Sequence, residues 1–243
     1  MIGPVMRRIR RLVRARGYDL VRYDPRSHFL ALRRLLLDKY AIDVVLDVGA
    51  NTGAFALQMR DIGYTGRIVS FEPVSATFRE LSGHAAGDPN WVTVNCGLGD
   101  FDGTAAINIS ANNAESSSLL EMLPRHLEAA ATSRFVAREE IRVKRLDDVF
   151  ESVCEGRRNV YLKIDTQGFE RKVLDGGPRA LEHIDTLQLE LSMVPLYRND
   201  TSFLDMCAYL RDKGFQAVAF EPGFLDVDSG QMLQVDGIFH RFR

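Results

Sequence analysis

The chain has 243 residues, 46% of them hydrophobic and 26% charged, an ordinary globular composition that is long enough to bury a full α/β core. A net charge of -2 gives no basic balance of the kind a nucleic-acid partner requires, so none is expected. Three widely spaced cysteines, Cys96, Cys154 and Cys207, exclude a disulfide framework and a thiolate zinc site, and fit a reducing cytoplasm.

Residues 1–40 read as an N-terminal helical segment. The spacing predicts a helix over 4–16, with Pro4 at a first helical position and Gly17 as its stop. Val5, Ile9, Leu12 and Val13 share one face, and Arg7, Arg8, Arg10, Arg11, Arg14 and Arg16 supply positive charge with no acid between them. Such a helix either packs its stripe within its own domain or rests on an anionic membrane, so peripheral membrane contact through residues 1–17 is one expectation. The arginines also interrupt any signal-peptide core, and no apolar run approaches the roughly 18 residues of a membrane span. A cytoplasmic protein, with or without membrane association, is therefore expected. A second helix is predicted over 27–39.

Residues 41–243 read as one α/β domain with an insertion at 100–150. Strands are predicted at 42–47, 67–72, 91–95, 159–164, 184–190, 215–221 and 235–241, and helices near 53–61, 75–86, 169–181 and 201–213. Alternation of this kind implies a parallel sheet with crossover helices. The bends EPG and DSG leave no room for a helix between the last two strands, so these should pair antiparallel. Within the insertion, strands are expected at 104–109 and 140–144 around the polar stretch NNAESSSLL.

The sequence VVLDVGANTG, residues 44–53, is a strand, a glycine turn and a helix start. Its Gly49 and Gly53 open a helix N-terminus toward a ligand, but the third glycine of the dinucleotide pattern is absent. Asp47 would repel a pyrophosphate and attract an ammonium group, which favours S-adenosylmethionine over a nicotinamide dinucleotide. Glu72, 25 residues on at the end of the second strand, is placed to accept ribose hydroxyls from either cofactor. The cofactor site expected from this pattern is Asp47, Gly49, Asn51, Gly53 and Glu72, joined by Cys96 and Leu98 where an adenine ring would rest, although Cys96 also reads as a packing thiol.

DVGANTG, SFEP at 70–73, NCGLGD at 95–100, RLDD at 145–148, LKIDTQGFE at 162–170 and LELSMVPLY at 189–197 together resemble the FkbM-type S-adenosylmethionine-dependent methyltransferases, from about residue 42 to the C-terminal LQVDGIFHR. The resemblance implies a class I methyltransferase (Rossmann-like) fold, with a seven-stranded mostly parallel sheet in the order 3-2-1-4-5-7-6 and its last strand antiparallel. It also implies methyl transfer to a hydroxyl of a small-molecule natural product, (glyco)lipid or glycan sugar.

Ligands in such sheets lie beyond the carboxyl ends of the parallel strands. Asp165, Glu190 and Asp236 should meet there as an acidic arc, with Asp165 as the base or acceptor-orienting group. The same three oxygen donors would suit a divalent cation, magnesium or calcium. Lys163 reads as lying on a sheet face or pairing with an acid. Five scattered histidines lack metal-ligand spacing; His126 is expected at the surface, and Ser116 to Ser118 offer hydroxyls to cofactor or substrate. Two other readings remain: a nicotinamide-dependent oxidoreductase, and a non-catalytic membrane-docked scaffold that keeps a vestigial pocket.

Overall fold

The computed structural model describes residues 4–242, and the chain falls into two compact units, residues 1–40 and 41–243. In the first, α1 (Pro4–Arg14) ends at a turn in which Gly17 is left-handed, φ 82°. Asp19 folds back onto α1 and accepts from Arg10 Nε at 2.8 Å and Arg14 Nη2 at 2.9 Å, which holds its carboxyl below the usual range. The second helix, α2 (Phe29–Lys39), starts two residues later than its sequence suggests, because the Ser27 hydroxyl donates to the Arg22 carbonyl at 3.0 Å instead of capping the helix.

The second unit is built on β1 (Val44–Val48), β2 (Arg67–Phe71), β3 (Trp91–Val94), β7 (Val160–Ile164), β8 (Ile184–Ser192), β9 (Gln216–Pro222) and β12 (Gln234–His240). They form one sheet in the order β3-β2-β1-β7-β8-β12-β9. Counted along the chain, that is 3-2-1-4-5-7-6, and β12 runs antiparallel to both of its neighbours. All five residues of β1 and of β7 are buried, as expected of central strands covered on both faces. Val44, Leu46, Val48, Leu162, Ile164, Leu187 and Leu189 form the core with residues of the crossover helices. Those helices are α7 (Glu170–Asp175) and α8 (Phe203–Asp212); α3 (Ala54–Asp61) and α4 (Ser75–Ala85) are the other crossover helices. The helix expected over 169–181 stops early: a Cβ on Gly176 would lie 1.8 Å from the Gly99 carbonyl, and Gly177 and Pro178 follow.

The insertion builds a second, smaller sheet from β4 (Gly97–Gly99), β5 (Gly103–Ser110) and β6 (Phe135–Arg145), in the order β4-β6-β5. It also holds α5 (Pro124–Ala129), and α6 (Leu146–Cys154) follows; neither helix is evident from hydrophobic spacing. A short hairpin, β10 (Leu225–Asp226) and β11 (Gln231–Met232), joins β9 to β12. Among the described residues, no helix is long and apolar enough to cross a membrane.

Candidate active site

The carboxyl edge of the sheet opens on a cleft lined by the β1 turn, the end of β2, the small sheet, the loop after β5 and the loop after β7. Gly49 (φ 75°) and Asn51 (φ 48°) are both left-handed, and the N–H groups of Gly49 and Ala50 donate to the Phe71 carbonyl at 3.1 and 3.0 Å. A side chain at Gly49 would put its Cβ 1.8 Å from the Asp165 carbonyl, so only glycine lets the β1 and β7 turns approach this closely. Gly53 (φ 95°) caps α3 and packs where a Cβ would meet Leu81 and Trp91 within 3 Å, so its role is backbone geometry rather than cleft lining.

Glu72 stands in the cleft wall with its oxygens oriented by two backbone donors, Asn51 N–H to Oε2 at 2.9 Å and Val74 N–H to Oε1 at 2.8 Å. Burial pushes its carboxyl up to about 7 against the lowering effect of those two N–H groups. Each oxygen keeps a second acceptor site, which is what a ribose diol requires. Leu98, Ile107, Ile141 and Phe169 supply apolar wall for a base. The lining therefore fits an adenosine cofactor.

Besides Gly53, two residues of the expected cofactor set lie elsewhere. Cys96 belongs to the hydrophobic core, and burial raises its thiol to about 11; its neighbours Gly97 and Leu98 line the cleft instead. Asp47 is fully buried behind the cleft wall. Its Oδ2 accepts from Ser70 Oγ at 3.1 Å, and Oδ1 forms an ion pair with Lys163 Nζ at 3.3 Å without hydrogen-bond alignment. Burial raises the Asp47 carboxyl, with Lys163 opposing. The acids that do face the cleft are Glu72, Glu115 and Asp165.

Lys163 sits directly opposite Asp47 in the β1–β7 register, and its Nζ also lies 3.4 Å from Asp165 Oδ2 and donates to the Gly49 carbonyl at 3.3 Å. Burial works against its charge, but Asp165, Asp47 and Asp236 outweigh burial and raise its pKa. Asp165 thus follows β7 at the cleft edge, tied to a lysine that reads from sequence only as an ion-pair partner.

Glu190 and Asp236 face each other across the antiparallel β8–β12 pair. Glu190 Oε2 accepts from Gln167 Nε2 at 2.8 Å and from Gln234 Nε2 at 2.7 Å. Its pKa is raised well above the ordinary value, first by burial and then by Asp165, Glu170 and Asp236. Asp236 accepts from Gln188 Nε2 at 3.3 Å and does not line the cleft. Of these three acids Asp165 alone lines the cleft, and Lys163 and three glutamine amides hold the group together. Among the described residues, no group of three or more His, Cys, Asp or Glu could hold a metal ion, and a donor set already engaged by an ammonium and amides does not fit a divalent cation.

Three further residues take part that sequence reading left in the background. Gln167, left-handed at φ 55°, also donates from Nε2 to Asp165 Oδ1 at 2.9 Å. Tyr197, fully buried, donates to Gln167 Oε1 at 2.8 Å. Glu170 Oε1 accepts from the N–H groups of Thr166 at 2.8 Å and Gly168 at 3.2 Å and so shapes the loop, while burial raises its carboxyl to about 7. The loop after β5 closes the cleft with Ser117 and Ser118, and Asn51 Nδ2 reaches the Asn113 carbonyl at 3.3 Å. His126, expected at the surface, is buried on α5 against Tyr197 and Phe224, and burial lowers its pKa to about 4.

A seven-stranded sheet of this order, with a cleft at its carboxyl edge whose lining suits an adenosine cofactor, is the arrangement of a class I methyltransferase. The sequence model for the methyltransferase FkbM domain matches residues 47–217, and the chain belongs to that family. It is a methyltransferase with S-adenosylmethionine as methyl donor, which sets aside the nicotinamide reading. Among curated relatives, Methyltransferase 1 of Beauveria bassiana is 26% identical over 196 residues, covering 76% of each chain. Methyltransferase sdnD of Sordaria araneosa is 29% identical over 153 residues, covering 54% of this chain and 59% of its own length. Among solved structures, the fibrillarin of Aeropyrum pernix with bound S-adenosyl-L-methionine is 14% identical, covers 81% of this chain and 66% of its own, and has a TM-score of 0.45.

Proposed function

We propose that the protein is an O-methyltransferase whose acceptor is a hydroxyl of a small-molecule natural product or of a (glyco)lipid or glycan sugar. The observation that carries this reading is the Asp165–Gln167–Glu190 group, two carboxylates bridged by one amide at the ends of β7 and β8 beside the cofactor cleft. Bound S-adenosylmethionine supplies an electrophilic methyl on a sulfonium sulfur. The protein has two tasks: to align an acceptor oxygen with that methyl and to take its proton as the new bond forms. An aliphatic hydroxyl needs such a base, whereas a neutral amine does not.

Asp165, ion-paired through Oδ2 and hydrogen-bonded through Oδ1, is the acceptor-facing carboxylate. Glu190 and Asp236 stand behind it as assisting acids. Glu72, Asn51, Gly49 and Leu98 hold the cofactor, with Gly53 setting the turn. Asp47 acts through Lys163, not by direct contact. To test the reading, lipid and metabolite extracts are incubated with the protein and S-adenosylmethionine carrying a labelled methyl, and products are analysed by mass spectrometry. Label in an O-methyl ether supports the proposal; label only on nitrogen or carbon sinks it. Complete absence of transfer would favour the scaffold reading.

We also infer that α1 contacts anionic membrane. On its helical wheel, Val5, Met6, Ile9, Leu12 and Val13 fill one arc of roughly 120°, opposite Arg7, Arg8, Arg10, Arg11 and Arg14. Of these arginines, Asp19 engages Arg10 and Arg14. Sedimentation with vesicles containing phosphatidylglycerol should carry down the full chain and leave a chain lacking residues 1–17 in the supernatant; equal sedimentation of both contradicts the inference.

A further inference from the structure

We propose that Gln167 is the positioning residue of the acid pair, and that its own orientation is fixed from the far side by Tyr197 and the cleft-closing loop. This inference rests on the reading of Asp165 as the proton acceptor and adds the part that aims it.

The chemistry leaves the Gln167 amide one orientation. Its two Nε2 protons go to Asp165 Oδ1 at 2.9 Å and Glu190 Oε2 at 2.8 Å. Turned over, the amide would set Oε1 against both carboxylates and its NH2 against the Tyr197 hydroxyl. In the observed orientation that hydroxyl donates to Oε1 at 2.8 Å; the alternative acceptor, the Ser116 carbonyl, is farther away at 3.2 Å. Tyr197 is fully buried and held edge-on by His126 with ring centroids 5.2 Å apart, so this donor is fixed.

The backbone is constrained as tightly. Gln167 is left-handed at φ 55°, a conformation that strains a non-glycine residue and persists only where its surroundings impose it. Here the Ser118 hydroxyl, which lines the cleft, donates to the Gln167 carbonyl at 2.7 Å. The next residue, Gly168, leaves just enough room for Tyr197 and Asp200, which a Cβ there would meet at 3.1 to 3.2 Å. One residue therefore joins the loop that closes the cleft to both carboxylates.

An amide proton donated to the Glu190 carboxylate favours its ionised form, so removing it must raise the apparent pKa of Glu190 further. The other charged or titratable groups facing the pair are Lys163 on β7, Asp47 on β1, Glu170 on α7, Asp236 on β12 and Tyr197 after β8, and none is changed by substitution at 167. A glutamate at 167 would put a third carboxylate in contact with the pair and reverse the effect of the donor.

The test is a carbon-detected titration of side-chain carboxyls in the unliganded full chain, comparing wild type, Gln167→Met and Tyr197→Phe. Gln167→Met is expected to move the Glu190 titration up by at least one pH unit, a tenfold change in proton affinity. Tyr197→Phe, which frees the amide to rotate, should move it in the same direction by less. Unshifted titrations in both variants overturn the inference, and Tyr197→Phe provides the reading if the methionine variant does not fold. The two readings fail separately: methyl transfer that survives Asp165→Asn removes the base, whereas unshifted titrations remove Gln167's positioning role.

Discussion

The ends of β1 and β2 and the ends of β7 and β8 face the same cleft but are built by different means. At β1 and β2, backbone does the work: the left-handed Gly49 and Asn51 and two N–H donors to Glu72 shape a surface for a ligand common to the family. At β7 and β8, side chains do it, with Lys163, Gln167, Gln234 and Tyr197 arranging Asp165 and Glu190. Local backbone geometry is written in adjacent residues, whereas a side-chain network draws on partners far apart in the chain. The first half is therefore readable from adjacent residues, and the second is where the proposed acceptor chemistry would be set.

Substitutions separate the halves. The largest effect should come from Gly49→Ala, whose added Cβ meets the Asp165 carbonyl at 1.8 Å in a left-handed position; a loss of about 4 kcal/mol or more in urea denaturation is expected. Glu72→Ala should weaken S-adenosylhomocysteine binding by roughly 30-fold or more in calorimetry, since it removes the charged acceptor in the ribose region. An unchanged affinity would take Glu72 out of the cofactor half.

Acid titration sharpens the contrast further. Glu170, raised by burial to about 7, binds its proton more tightly folded than unfolded. The stability this gives is fully present below the ordinary glutamate range and is lost as pH rises toward 7. Glu170→Gln should flatten that part of the urea midpoint against pH, by up to ~3 kcal/mol across the window. A slope identical to wild type would contradict the burial account. The smallest effect is expected for Cys96→Ala: its thiol packs in the core, so cofactor affinity should stay within about threefold while stability falls by about 1 kcal/mol. A large loss of affinity would return Cys96 to the cofactor wall.

The sheet order came with the family resemblance. The antiparallel last strand was legible because the bends between the final two strands leave no room for a crossover helix, and the place of Glu72 at the end of the second strand because it follows from spacing along one strand. Asp47 was not legible. Its residue type is right for an ammonium partner, but its direction is set by Lys163, its register neighbour more than a hundred residues away. Gln167 carried no signal in the sequence for the same reason, since its meaning depends on Tyr197, Glu190 and Ser118. His126 looked exposed because α5 is too short to show a hydrophobic period, yet the aromatic side chains of Tyr197 and Phe224 bury it. The acidic arc was visible as residue types, but the amides and ammonium that occupy its donors were not, and they are what turns it away from a metal site.

The most direct measurement is the single-turnover rate of methyl transfer by Asp165→Asn to an acceptor found by isotope labelling, taken alongside S-adenosylhomocysteine affinity by calorimetry. The account predicts affinity within a few-fold of wild type and a rate lower by about 10²- to 10³-fold, as expected when a general base is removed. A rate equal to wild type at intact affinity would contradict it and leave the carboxylate pair without a part in the chemistry.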